Sequence, residues 1–152
     1  MRLLLIAVGR LKSGPLKALE QHYAQRLIPP PIIREVEERR PLPAAERKER
    51  EAALLLDALP KGATAVALDA SGKTLTSEDF TRRLAGWRQA GVGDLAFLIG
   101  GADGLAAAVR QRADFTLSLG PMIWPHLLVR GMLLEQLYRA QQISAGHPYH
   151  RA

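Results

Sequence analysis

Leu3-Leu4-Leu5-Ile6-Ala7-Val8-Gly9 opens the chain with six apolar residues in unbroken succession and then a glycine. A strand with one wet face would alternate apolar and polar positions. An unbroken apolar run ended by glycine instead reads as a strand covered on both faces, as in a parallel sheet sandwiched by helices. The pattern repeats outward from there. Leu16, Leu19, Tyr23 and Leu27 recur at helical spacing until Pro29-Pro30-Pro31 stops them, and residues 32–36 offer a second strand. From Pro43 a mixed-charge stretch leads into Leu54-Leu55-Leu56 and ends at Pro60 and Gly62, which predicts a second helix with a solvated face. Residues 63–68 form a third strand. Asp69-Ala70-Ser71-Gly72-Lys73 then reads as a turn before a helix capped near Thr76 or Ser77, with Glu78 and Asp79 in its first turn and Phe80, Leu84 and Trp87 as its apolar stripe. Residues 94–99 predict a fourth strand, 105–112 a helix, 115–119 a fifth strand, and 126–144 a long last helix ended by Gly146 and Pro148.

Strands alternating with helices through five rounds predict a three-layer α/β domain with a mostly parallel, five- to six-stranded sheet, and no linker divides residues 1–152. A chain of 152 residues with 47% hydrophobic residues is long enough to bury one independent core. It has no cysteine, which excludes disulfides, thiolate nucleophiles and cysteine-built zinc sites. No apolar run approaches the roughly 20 residues of a membrane helix, and the first one is too short for a secretory leader. A cytoplasmic chain without membrane or metal partners is expected. The formal charge of +6 favours a polyanionic partner, with nucleic acid as the leading candidate.

In open α/β sheets ligands bind beyond the carboxyl ends of strands, here the loops after Leu68, Ile99 and Leu119. Ile99-Gly100-Gly101-Ala102-Asp103-Gly104 joins a strand to a helix, and its glycines would let backbone approach a ligand or simply make a tight turn. The spacing is GGxxG, not the dinucleotide GxGxxG, and no phosphate-loop GxxxxGK[ST] exists, which counts against a nucleotide-phosphate enzyme. Gly120-Pro121-Met122-Ile123-Trp124-Pro125 is unusually apolar for a connection. It is fitted either to wall a pocket for a flat heterocycle or to pack against the core or a second subunit. The last helix is apolar around more of its surface than a single stripe. It therefore predicts two burial partners, the sheet and a symmetry mate, with Gly131 allowing close approach in a homodimer. Glu135 and Arg139 stand at i,i+4 spacing, suited to an ion pair. The terminal His147-Pro148-Tyr149-His150-Arg151-Ala152 carries groups that stack on bases, exchange protons and grip phosphates.

These segments together resemble the ribosomal large subunit methyltransferase H family of the SPOUT superfamily. The resemblance runs from residues 5–9 through Leu68-Asp69, Leu98 to Gly104, Pro125-His126-Leu127-Leu128-Val129-Arg130 and Glu135-Gln136-Leu137-Tyr138-Arg139-Ala140 to His147-Pro148-Tyr149-His150-Arg151. It implies a C-terminal trefoil knot, a homodimer, and S-adenosyl-L-methionine held by Leu68, Gly100, Gly101, Leu119, Gly120, Pro121, Met122, Ile123, Trp124 and Pro125. It also implies that His126, Arg130, Tyr149, His150 and Arg151 face a pseudouridine of large-subunit ribosomal RNA, methylated at N3 in the assembled ribosome. His126 or a tail group would serve as base, and Arg130 or Arg151 would stabilise the anion.

Overall fold

The computed structural model describes residues 1–151. Five strands, β1 (Arg2–Val8), β2 (Ile32–Val36), β3 (Thr64–Thr74), β4 (Asp94–Ile99) and β5 (Phe115–Ser118), alternate with five helices, α1 (Pro15–Ala24), α2 (Ala44–Ala58), α3 (Ser77–Gln89), α4 (Ala107–Arg112) and α5 (His126–Ser144). The strands form one sheet in the order β2-β1-β4-β3-β5, and every pairing is parallel. The central strand β4 and its neighbour β1 are the unbroken apolar runs. Side chains alternate along them, so Leu5, Ala7, Leu95, Phe97 and Ile99 fall on one face with Leu133, Leu134 and Leu137 of α5. Leu4, Ile6, Val8, Ala96 and Leu98 fall on the other face with Ala52 and Leu55 of α2 and Val109 of α4. Helices α1, α3 and α5 cover the first face, which makes the expected three layers.

The cap expected for α3 forms: the Thr76 hydroxyl accepts the amide of Asp79 at 3.0 Å, and Glu78 and Asp79 occupy the first turn. Two expectations need correction. Asp69 to Lys73 is not a connection to α3 but a bulge inside β3. Asp69 accepts both the amide and the hydroxyl of Ser71, and the strand then rejoins β5, with Lys73 opposite Leu117 and Thr74 opposite Ser118. Gly131 does permit a close approach, but to Leu19 of α1 in the same chain: a Cβ there would come within 2.5 Å of the Leu19 side chain. The second set of partners for α5 is thus α1 and α3.

Candidate functional site

The bulge of β3 and the loops after β4 and β5 converge, at the carboxyl end of the sheet, on a cleft of about 210 Å³. Leu68, Asp69 and Ala70 come from the bulge, Gly100, Gly101, Ala102 and Gly104 from the β4 loop, and Leu119, Gly120, Met122, Ile123 and Trp124 from the β5 loop. His126 and Val129, in the first turn of α5, complete the wall. Of the expected cofactor residues only Pro121 and Pro125 stay outside it; Pro125 serves instead as the N-cap of α5. Asp69, Ala70, Leu105, Leu117 and Val129 line the cleft without having been singled out in the sequence. Asp69 and Ala70 carried a signal all the same, since they open the loop expected after Leu68.

Local bonds hold these loops in shape. The Ser118 hydroxyl donates to the Gly120 carbonyl and accepts the Gly120 amide, each at 3.1 Å, and the Trp124 indole donates to the Leu119 carbonyl at 3.3 Å. Gly104 closes the β4 turn by donating to the Gly101 carbonyl at 3.0 Å. A side chain on Gly101 would be crowded, because a Cβ there would lie 3.0 Å from both Glu51 Oε2 and Val8 Cγ1. At the mouth of the cleft, Met122 and Ile123 are 70% and 95% exposed, a large apolar surface left to water.

His126 stands at the cleft edge, half-buried beside Gly9. Burial first, and then the positive charge of Arg130, hold its imidazole below the ordinary histidine pKa. Near neutrality the ring is accordingly an uncharged acceptor.

Arg130 does not reach an RNA-facing surface. It is 0% exposed and ties α5 to β1, β2 and α1. Nη1 bonds Glu35 Oε2 at 2.6 Å and Glu20 Oε2 at 3.4 Å, and Nη2 donates to the carbonyls of Gly9 at 2.7 Å and Val8 at 3.3 Å. Burial works to raise the Glu35 carboxyl, but the hydrogen bonds from Arg130 and the Leu11 amide, with the Arg130 charge, bring it below its usual value. The expectation of a substrate contact at Arg130 is corrected to that of a structural clasp beneath His126. With both terminal nitrogens bonded within the protein and Nε–H unpartnered but buried, the guanidinium presents no exposed edge to a ligand.

The tail folds back on its own chain. The Tyr149 hydroxyl donates to Glu135 Oε1 at 3.0 Å, its ring meets Tyr138 edge-on at 4.8 Å, and the Arg139 guanidinium stacks 4.9 Å from it. Burial, followed by hydrogen bonding with Tyr23 and Glu135, raises the Tyr149 pKa well above the ordinary phenol, so it keeps its proton. His150 Nδ1 faces Arg139 Nη1 at 3.1 Å, and Nε2 faces Glu78 Oε1 at 2.8 Å. Because arginine only donates, Nδ1 accepts and Nε2–H donates to Glu78, leaving no free acceptor on this ring. Arg151 is exposed. The expected Glu135–Arg139 pair forms, with Arg139 Nε 3.0 Å from Glu135 Oε1. Glu135 stands nine positions beyond His126 along α5, ~14 Å along the axis at about 1.5 Å per residue. Tail and cleft of one chain therefore stand apart; a larger groove of about 570 Å³ shares Leu119 and Gly120 with the cleft and reaches Met132 and Glu135.

The family model described as predicted SPOUT methyltransferase matches residues 1–150. The chain belongs to the SPOUT methyltransferase family. It is 59% identical to the ribosomal RNA large subunit methyltransferase H of Rhodospirillum centenum, with 100% of both chains covered. It is 58% identical to the protein of the same name from Paramagnetospirillum magneticum, with 99% of each covered. Among solved structures, a probable methyltransferase from Bordetella pertussis superposes with a TM-score of 0.56 over 91% of this chain and 95% of that one, at 16% identity. The SpoU methyltransferase AviRb from Streptomyces viridochromogenes, solved with AdoMet, gives 0.51 over 94% and 58%, at 15% identity. At such identities these two likenesses concern the SPOUT fold alone. Among the described residues no helix is long and apolar enough to cross a membrane.

Proposed function

We propose that this SPOUT protein is an S-adenosyl-L-methionine-dependent methyltransferase that methylates N3 of a pseudouridine in large-subunit ribosomal RNA, acting on the ribosome in the cytoplasm as a homodimer. The observation that carries the reading is the cleft where three strand-end segments meet beside an uncharged His126, in a chain whose full-length relatives bear the name of large-subunit ribosomal RNA methyltransferases.

The cleft residues suit the cofactor. Leu119, Met122, Ile123 and Trp124 give an apolar wall for adenine, main-chain groups of Gly120, Met122, Ile123 and Trp124 give hydrogen bonds, and Gly100 and Gly101 bring bare backbone to the cleft. S-adenosyl-L-methionine, when bound, supplies a methyl group made electrophilic by its attachment to a positive sulfur. The protein's part is to hold the ring nitrogen in line with that carbon and to take its proton. His126 is the base in this reading, since Tyr149 keeps its proton and both nitrogens of His150 are engaged. Arg151, exposed and cationic, is the group left to stabilise the anion across the flanking carbonyls.

The homodimer reading is supported by the apolar surface of Met122 and Ile123 and by the distance between tail and cleft. A two-fold would cover the first and carry one chain's tail to the other's cleft. The knot reading is supported by the path of the chain: β5 lies at the sheet edge, and α5 then returns to the end of β1, where Arg130 bonds Val8 and Gly9.

The test is incubation of ribosomes with a methyl-labelled donor, followed by mass mapping of the large-subunit RNA. Label on N3 of one pseudouridine is expected; no label in that RNA refutes the reading. Calorimetry provides the control, with S-adenosylhomocysteine expected to bind and NAD and ATP expected not to.

A further inference from the structure

Glu51 enters from α2 beneath the glycine turn of the cleft and is 7% exposed. Its Oε1 has no hydrogen-bond partner. Its two carboxyl oxygens lie 3.0 and 3.1 Å from where a Cβ on Gly101 would be. Among the described residues no cation forms an ion pair with the group, and only the charge of Arg47 opposes the upward shift of its pKa. Arg47, one turn away on α2, is drawn to Asp103 Oδ2 at 3.4 Å and to the Leu42 carbonyl at 2.7 Å. Glu38, from the segment after β2, is paired with Arg40 and Arg50. Burial, and then the neighbouring Asp103, push the Glu51 carboxyl above its usual pKa. A buried acid with an orphaned oxygen destabilises a fold, and an apolar side chain of like volume would stabilise it better. What the buried side chain does meet is the glycine turn of the cleft.

We propose that Glu51 is a positioning residue for the cofactor turn: its carboxyl is the floor on which Gly101 rests, and it sets how far the Gly100-Gly101 backbone stands into the cleft. A side chain on Gly101 would crowd that floor, 3.0 Å from Glu51 Oε2, and the turn keeps its height because the carboxyl fills the space beneath it. Glutamate and glutamine share that shape; alanine removes it. This inference rests on the reading of the cleft as the S-adenosyl-L-methionine site.

Glu51→Ala and Glu51→Gln are compared with the parent chain for S-adenosylhomocysteine affinity by calorimetry, for KM and kcat on ribosomes, and for thermal midpoint. Glu51→Ala is expected to weaken S-adenosylhomocysteine binding and raise the cofactor KM by about tenfold. Its kcat at saturation should stay within about twofold of the parent, and Glu51→Gln should restore KM to within about twofold. The midpoint of Glu51→Ala should not fall. Equal affinity of Glu51→Ala and parent overturns the proposal, as does a Glu51→Gln no better than Glu51→Ala, or a loss of affinity that follows a fall in midpoint. A parent chain that fails to bind S-adenosylhomocysteine refutes the reading of the cleft itself, and the proposal with it.

Discussion

Replacing Arg130 by methionine separates a structural clasp from a substrate contact. The guanidinium is 0% exposed and is shared among two carboxylates and two backbone carbonyls. Methionine fills much of the volume but bonds none of them. Glu20, 2% exposed, would then be a buried charge whose nearest remaining cation is Lys17, at 3.1 Å. Removing one member of a buried pair costs about 3–5 kcal/mol, because the partner is left uncompensated. For a domain of this size that lowers Tm by roughly 6–20 °C. The assay is urea unfolding of the parent, Arg130→Met, Glu35→Gln and the double variant. The double variant should recover part of the loss, since the contacting pair is coupled. The clasp also fixes the sign of an acid response. Glu35 has a depressed carboxyl pKa in the folded chain, so its stabilisation is present above the ordinary glutamate value and is lost as pH falls through its own. That part of the pH slope should vanish in Arg130→Met. An Arg130→Met chain as stable as the parent but inactive on ribosomes would refute the argument and restore Arg130 to the RNA.

His126→Ala should lower kcat by about a hundredfold or more if the imidazole takes the N3 proton. In the parent, the acid limb of the kcat profile should lie below the ordinary histidine value, with activity lost as pH falls through it, because burial and Arg130 disfavour the protonated ring; an unchanged profile in His126→Ala would exclude it as the base. Removing residues 147–152, of which Ala152 lies outside the described residues, takes away the Tyr149 and His150 bonds. Methylation should disappear while S-adenosylhomocysteine affinity remains, and calorimetry paired with a ribosome assay checks both.

The strands were legible because a doubly covered strand must be apolar at every position, and residues 3–8 and 95–99 are. The convergence of the loops after Leu68, Ile99 and Leu119 followed from a parallel order alone, since parallel strands put all their carboxyl ends on one side. The β3 bulge was not legible. Asp69, Ser71 and Gly72 have the same turn chemistry whether the chain leaves the sheet or rejoins it, and only pairing with β5 decides. Arg130 was misjudged because a buried arginine and an exposed one are the same letter. One signal pointed to it: Glu20 stands on the stripe of Leu16 and Tyr23, an acid on the face that α1 turns inward, and such a group requires a cation to meet it. Glu51 was hidden in a run of charges whose neighbours do face water.

Trp124, whose indole bonds the Leu119 carbonyl while 39% of the residue stays open to solvent, gives the chain an optical reporter. The sequence has two tryptophans, and Trp87 sits on α3 against Phe115. With Trp87 changed to phenylalanine, all indole emission would come from the cleft wall. A ligand that stacks there would quench or shift that emission, so filling of the cleft becomes readable by fluorescence titration, in real time and without a label.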